Sequence, residues 1–559
     1  MVDLSGLAYD LTGLTVPLIA IFAFILPLIS KIVKNKYFPG IYALIVTLFA
    51  TLSTTIIFMY LGSTLEHKTY TFRNITFNAT ISKPIVYGFG GWPPPIGISY
   101  EVDGLNSLIG VYIGWIMLLI VLFSLWYNRN LDEPEWYYTL LLGFEAGVLG
   151  CLYTGDAFNL FVMIEVLAIS SYALIAYHKN NPGSIEAAIK YGILGATATT
   201  IYFIGLMIIY GIYGTLNMGH ILYKNLQVFG NVMIGEAPPG LVLATTLAVS
   251  LALWVFTLKS GLFPNHFWLP DAYSEAPTPI SAALAGLSEV IGIYVVIRFL
   301  YTVFPAFSPI GYYYRGLILE ILLILGFLGG VVGALMMFIQ RDLKRLLAYS
   351  SISHIGLIFM TLSIGFLALP MKRLDSILVI AFTAVVTHII AHGLGKTLLF
   401  MSSEIFIESS GTKIMDDMRG VGRKYPWVSL AFIAGFLNLM GAIPFIGFFS
   451  KLLMYQAFIE SGLLLAAIGV IIVSALSVPG YAKAIYAIVF STPTREYRLV
   501  KTSGFKVLII IIALALLLLG VFYSYIYSMI SEYISSSITM GGLFNYERAF
   551  HEAFSKLMG

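Results

Sequence analysis

Lys259 stands inside FTLKSGLFPNHFWLPD (256–271), an apolar run that two prolines bring to an end. Pro264 withholds a backbone donor and breaks a helix, which places the cation beside freed carbonyls, with His266 close behind them. The device recurs in LMGAIPFIGFFSKLLMYQAF, where Gly441, Pro444 and Gly447 precede Lys451. Between the two, THIIAHGLGKTLLF carries His388, His392 and Lys396 at four-residue steps. Four residues advance a helix by about 400° and about 6 Å, so these groups trace one slowly turning stripe, close enough for relay through single waters. Glu165 lies in NLFVMIEVLAISSYALIAY. Imidazoles titrate near neutrality, burial brings lysines there, and a carboxylate near a lysine favours both charged forms, so such a set can exchange protons. Each group has a plainer reading: an interfacial acid, a snorkelling lysine, a satisfied structural histidine, a chance doubling of Gly/Pro kinks. Ionisable groups cost a few kcal/mol or more at bilayer depth unless paired or hydrated, and this weights the set toward function.

The elements that must position them are set by composition. At 59% hydrophobic, 15% aromatic and 11% charged, the 559-residue chain lies outside the soluble range. It offers about fourteen apolar stretches long enough to cross a bilayer: 13–33, 40–62, 104–126, 136–153, 157–177, 186–213, 241–263, 279–303, 315–339, 347–369, 376–402, 427–450, 462–488 and 505–530. The first is read as a retained span and not as a cleaved signal. Basic loops at Lys31/Lys34/Lys36, Arg341/Lys344/Arg345, Lys413/Arg419/Arg423/Lys424 and Arg495/Arg498/Lys501 then share one side, expected to be cytoplasmic. Asp342, Lys344 and Arg345 need do no more there than set orientation. Both termini are expected outside, with a polar hairpin segment near 64–102 that contains the glycosylation-type triplets NIT and NAT.

Several chemistries find no support. The single Cys151 excludes disulfides within the chain and cannot hold an iron–sulfur cluster. No c-type haem motif, glycine-rich phosphate loop or HExxH occurs, so no cofactor is expected in this chain. Haem between two helices stays open, although neighbouring turns of one helix cannot clamp it. A net charge of +3 argues for no nucleic-acid partner. Glu145, in LLGFEAGVLG, reads as a contact to a neighbouring subunit or a small-residue helix contact, ranked below Glu165. From Gly542 the tail reads as an amphipathic surface helix, with Leu543, Phe544, Tyr546, Phe550, Phe554 and Leu557 near one side, docked on a neighbouring subunit or lying on the membrane.

TGDAFNLFVMIEVLAISSYALIAY, FPNHFWLPDAYSEAPTPISAALAG, QRDLKRLLAYSSISHIGLI and IPFIGFFSK, in that order, resemble the signature segments of antiporter-like subunits. These belong to Mrp-type cation/proton antiporters, respiratory complex I and archaeal membrane-bound hydrogenases and sulfur-reducing complexes. The resemblance covers about residues 104–460. It implies a fourteen-span subunit with a buried hydrophilic axis that carries protons. It matches Glu165 to the fifth-span glutamate, Lys259 to the broken seventh-span lysine, Lys396 to the eleventh-span lysine and Lys451 to the twelfth-span lysine or glutamate. Lys190, in SIEAAIKYGILG, matches a frequent sixth-span lysine, though Glu186 four residues earlier makes a helix-surface ion pair the plainer reading. Three departures stand out: Glu289 where many D-type members have lysine, Tyr273 where LPDAH is usual, and His354 where glutamine is common. Glu289 either carries protons or locks Lys259 in a permanent ion pair.

The expected fold is an all-α polytopic membrane protein of about fourteen helices, with two inverted five-helix repeats and broken seventh and twelfth spans. Residues 1–135 hold spans one to three, 136–303 the first repeat, 304–490 the second, and 491–559 the last span and the tail. The expected function is translocation of protons, with Na+ left open as a second ion, in a multi-subunit redox-driven respiratory complex or Mrp-type antiporter of the cell membrane. Its expected partners are the lipid bilayer, other membrane subunits and an iron–sulfur or hydrogenase-like peripheral module. The alternatives are a self-sufficient Na+ or solute transporter, and a haem- or quinone-binding electron carrier.

Overall fold

The computed structural model describes residues 4–72, 75–131, 133–228, 238–305, 309–367 and 371–555, and NIT at Asn74 and the side chain of Asn78 in NAT lie outside them. Helices α1 (Leu4–Val33) and α2 (Phe38–Ser63) precede two antiparallel strand pairs, β1 (Glu66–Phe72) with β2 (Ile75–Ile81) and β3 (Ile85–Gly88) with β4 (Ser99–Val102). The expected single hairpin segment is therefore two hairpins. Next come α3 (Gly104–Tyr127), α4 (Pro134–Tyr153), α5 (Ala157–Ile175), α6 (Pro182–Tyr213), α7 (Met218–Tyr223), α8 (Pro239–Ser260) and α9 (Leu269–Glu275). Helices α10 (Thr278–Ala283) and α11 (Glu289–Ile297) form one rod through the π-helical turns Leu284–Ser288 and Arg298–Val303. The remainder is α12 (Pro309–Ile339), α13 (Leu343–Leu362), α14 (Met371–Ser410), α15 (Pro426–Met440), α16 (Ile446–Glu460), α17 (Leu464–Ile485), α18 (Ser503–Val521), α19 (Tyr523–Ile538) and α20 (Met540–Ser555).

Among the described residues, 12 helical runs are long and apolar enough to cross a membrane. The two remaining apolar windows hold α4 and the interrupted pair α15/α16. Burial sorts the runs by position. The Thr278–Val303 rod is wholly enclosed and Leu343–Phe366 is 94% buried, whereas Leu4–Val33 and Gly504–Val521 are under a third buried. The enclosed rods are those that carry Glu289 and His354.

Local chemistry sets the ends. Asp156 caps α5 by accepting from the Phe158 and Asn159 amides, both at 2.9 Å, and Asp342 caps α13 by accepting from the Arg345 amide at 3.0 Å. The two interruptions share one geometry. Helix α8 stops at Gly261 (φ 74°) and α15 at Gly441 (φ 82°), the left-handed conformation that only glycine adopts freely. In each the proline three residues on, Pro264 or Pro444, prevents the helix from resuming at once.

Tyr9 and Asp10 of α1, Lys83 between the two hairpins and Arg548 and Glu552 of α20 line one cavity, so the start of α1 and helix α20 lie on the hairpin side. At the opposite end Lys413 pairs with Glu275 (2.6 Å) and Asp342 (3.4 Å), and Arg345 with Asp271 (2.6 Å).

The tail corrects the expectation made for it. Its apolar side is covered by this same chain, with Met540, Leu543, Tyr546 and Phe550 buried. Tyr546 donates to Glu101 of β4, and Phe550 stacks on His220 of α7 at 5.6 Å. The hairpins supply a polar, concave partner that periodicity in the tail could not reveal. Leu557 lies outside the described residues. Glu145 is likewise turned inward, 1% exposed, and accepts from Thr47 of α2 at 2.7 Å, which rules out the contact to a neighbouring subunit.

Candidate functional site

The break after α8 holds Lys259 at 3% exposure, with no hydrogen-bond partner for Nζ among the described residues. Instead the ammonium lies over the rings of Tyr191 (5.0 Å) and Tyr172 (5.5 Å). Each ring contributes on the order of 1–2 kcal/mol when desolvated. Together the two rings offset much of the cost of about 2.5–3.5 kcal/mol for placing a lysine at mid-membrane, a cost that already includes its lost hydration. Glu165 faces Lys259 and Tyr172 electrostatically without forming an ion pair. Gly195 makes the geometry possible: the Tyr172 hydroxyl occupies the space a Cβ there would need, with the Lys259 Nζ 3.7 Å from that point. His266 is buried within the break between Phe263 and Phe267, its Nδ1 without a partner among the described residues.

Tyr191 leads away from Lys259 toward Ser288 and Glu289. Glu289 follows the π-helical turn Leu284–Ser288, which withdraws backbone groups from the regular ladder. The Tyr112 hydroxyl of α3 donates to the Gly286 carbonyl of this turn at 2.6 Å. Glu289 is 1% exposed and accepts from the Tyr273 hydroxyl. It forms no ion pair with Lys259, so the permanent lock is not what the structure contains; its cationic neighbour is Lys396.

Lys396 is fully enclosed and donates to the Leu347 carbonyl (2.5 Å) and to the Ser350 hydroxyl of α13. From here the hydrogen bonds fall into two strings, Ser351 with His392 and Tyr481 through His354 and His388 to Ser450, joined by a ring contact. Ser351, within reach of Glu289, lies 3.3 Å from Nε2 of His392. The His392 ring is 5.3 Å from that of His354. His354 contacts the Tyr481 hydroxyl through Nε2 and Nε2 of His388 through Nδ1, both at 2.9 Å. His388 Nδ1 reaches Ser450 at 2.8 Å, and the Ser450 hydroxyl donates to the Gly447 carbonyl at 2.9 Å. Because the single Ser450 hydrogen is engaged by Gly447, one assignment satisfies every bond: Tyr481 donates to His354, His354 to His388, and His388 to Ser450. The next residue is Lys451, whose Nζ donates to the Leu439 (2.9 Å) and Met440 (3.1 Å) carbonyls freed by the break at Gly441.

The two breaks thus use their lysines differently. Lys259 sits on the arriving half-helix and rests on rings, whereas Lys451 sits on the departing half-helix and reaches back to open carbonyls. Lys190 lies apart from the row, about half exposed, paired with Glu186 (2.6 Å) and Asp271 (3.0 Å). His354, the central node, had a sequence signal in its departure from the usual glutamine. Ser350, Ser351, Ser450 and Tyr481 had none, since hydroxyls in apolar helices usually bond their own backbone. The His388/His392 stripe on α14 is joined through His354 of α13 and not directly along its own helix. Among the described residues no cluster of His, Cys, Asp and Glu could hold a metal ion.

A multi-pass helical membrane protein with a row of acids, lysines and histidines, enclosed from Lys259 to His388 and half-buried at Glu165 and Lys451, defines the class. Residues 154–477 match the family described as NADH:quinone oxidoreductase/Mrp antiporter, TM, and the chain belongs to that family. It is 30% identical to the NADH-quinone oxidoreductase subunit N of Desulforudis audaxviator over 81% of this chain and 87% of that one. It is 30% identical to the D-type subunit of the Na+/H+ antiporter of Alkalihalophilus pseudofirmus over 68% and 72%. Among solved structures it superposes on a chain of the membrane-bound sulfane sulfur reductase, an archaeal respiratory membrane complex, with TM-score 0.81 and 26% identity over 96% of this chain and 99% of that one. A chain of the Mrp complex from Dietzia shares the fold, with TM-score 0.79 at 20% identity over 97% and 99%. The protein is an antiporter-like membrane subunit.

Proposed function

We propose that this chain translocates protons along the buried row, as one subunit of a larger membrane complex. The carrying observation is the directed string Tyr481–His354–His388–Ser450, which ends beside Lys451 and meets His392 through the ring of His354. A string with one consistent donor direction passes a proton by reversing that direction, and imidazoles do so near neutral pH. Three lysines on the same row disfavour a bound Na+, because they would repel the cation and compete for the hard oxygen ligands it needs. The reading includes fourteen crossings, with α4 and α15/α16 as the fourth and twelfth, two inverted repeats, and both termini on the outer side. Glu165, Lys259, Glu289, Lys396, His392, His354, His388 and Lys451 carry the proton, and His266 lies at the hydrated break. Lys190 helps to shape the charged rim. Other membrane subunits, and an electron-transferring peripheral module as in the redox-driven relatives, would complete the complex.

The test uses vesicles that carry the assembled complex, with proton movement followed by a pH-sensitive dye. Lys259→Ala and Lys396→Ala are expected to lower transport at least tenfold while the chain still co-purifies with its partners. Transport at the unsubstituted rate in both variants would refute the reading. Iron–sulfur chains among the co-purifying partners would mark a redox-driven complex, and small membrane subunits alone an antiporter.

A further inference from the structure

We propose that Lys344 and Glu404 form a buried proton-uptake station that connects the basic face of the molecule to Lys396 and Glu289, an inference that rests on the proton-translocating reading above. Lys344 opens α13 next to the loops, yet it is only 4% exposed, and its Nζ donates to the Ala276 carbonyl at 2.5 Å. Glu404 of α14 is 9% exposed and accepts from the Thr278 hydroxyl at 2.5 Å. The two charges act on each other without forming an ion pair. A structural clamp would close that contact, because a buried pair offsets its desolvation only with close geometry. Here each charge is held by a neutral group of the turn between α9 and α10, so either can change protonation without breaking a salt bridge.

On the far side of the pair, Thr397, Ser402 and Ser403 of α14 have buried hydroxyls without partners among the described residues. Such a group is costly to leave unsatisfied, and water is its usual remedy. Ser403 lies seven residues beyond Lys396, nearly on the same face and about 10 Å along the axis. Ser351 stands in the same relation to Lys344 on α13. On the near side, Lys413, Glu275 and Asp342 form a network whose side chains are 32%, 23% and 12% exposed. His178 adds a titratable group there, with Nε2 3.1 Å from the Tyr127 hydroxyl, and Tyr127 faces Glu404. Exposure therefore falls in steps from the surface network through Lys344 and Glu404 to the enclosed Lys396.

Transport in vesicles carrying the complex separates this role from a structural one. Glu404→Gln and Lys344→Met are expected to slow proton uptake at least tenfold at unchanged amounts of assembled complex. Formate or azide, small weak acids able to carry a proton into the site, should restore part of the rate in Glu404→Ala. Normal transport in Glu404→Gln, with transport lost in Lys396→Ala, overturns the station and leaves the proton row intact. Normal transport in Lys396→Ala as well overturns the row itself. Loss of assembled complex in Glu404→Gln and Lys344→Met, or a defect in Glu404→Ala that weak acids do not relieve, marks a clamp and also overturns the station.

Discussion

The Tyr273 hydroxyl donates to Glu289 in the middle of the enclosed row, so two residues that depart from the family pattern in sequence are one interaction in space. A carboxylate placed where lysine is usual needs a donor, and a tyrosine placed where histidine is usual provides it. A hydrogen bond to a charged group is worth about 1.5–3 kcal/mol. Tyr273→Phe should therefore slow proton transport about tenfold or more without loss of assembly. The double substitution Tyr273→His with Glu289→Lys is expected to transport better than either single variant, as read in a double-mutant cycle on vesicle transport. Strict additivity would remove the coupling.

Gly195 is expected to be intolerant of even one methyl group. A Cβ there meets the Tyr172 hydroxyl, which holds its ring at Lys259. Gly195→Ala should impair transport much as Tyr172→Ala does, whereas Gly211→Ala, on the same helix with open space at its Cβ, should be silent. Transport rates of the three variants side by side decide the matter.

His354 of α13 joins His388 of α14 to Tyr481 of α17. His354→Ala removes both of its bonds and should reduce transport at least tenfold, and His354→Gln, whose amide can both donate and accept, should retain more. Tyr481→Phe removes only the first donor of the string and is expected to be milder than His354→Ala. The unsubstituted rate in all three would mean that the string carries no traffic.

The C-terminal helix is expected to act as a fastening. Tyr546→Phe deprives the buried Glu101 of one donor and leaves those from Ser99 (2.8 Å) and Asn217 (2.9 Å). The cost should be about 1–3 kcal/mol, seen as a lower melting temperature of the purified complex in detergent. Removal of the chain from residue 540 onward should lower it further, because the apolar side of α20 leaves with it.

Much of this molecule is legible in one dimension. Every hydropathy window contains helix, the two breaks fall at Gly261/Pro264 and Gly441/Pro444, and Glu165, Lys259, His388, His392, Lys396 and Lys451 are each marked by ionisable chemistry inside an apolar run. The reason is that a bilayer penalises every polar group locally, so a residue type at a given depth is itself informative. What each group touches is decided by helix packing, to which that local penalty is blind. Only the folded chain puts His354 between His388 and His392, turns Lys451 back to carbonyls while Lys259 rests on rings, pairs Tyr273 with Glu289, leaves Lys190 at the rim and folds the tail onto the hairpins. Apart from the Lys190–Glu186 pair, which lies within one helix, those contacts join residues 11 to 445 positions apart, and no periodicity within one helix encodes which neighbour its stripe will meet.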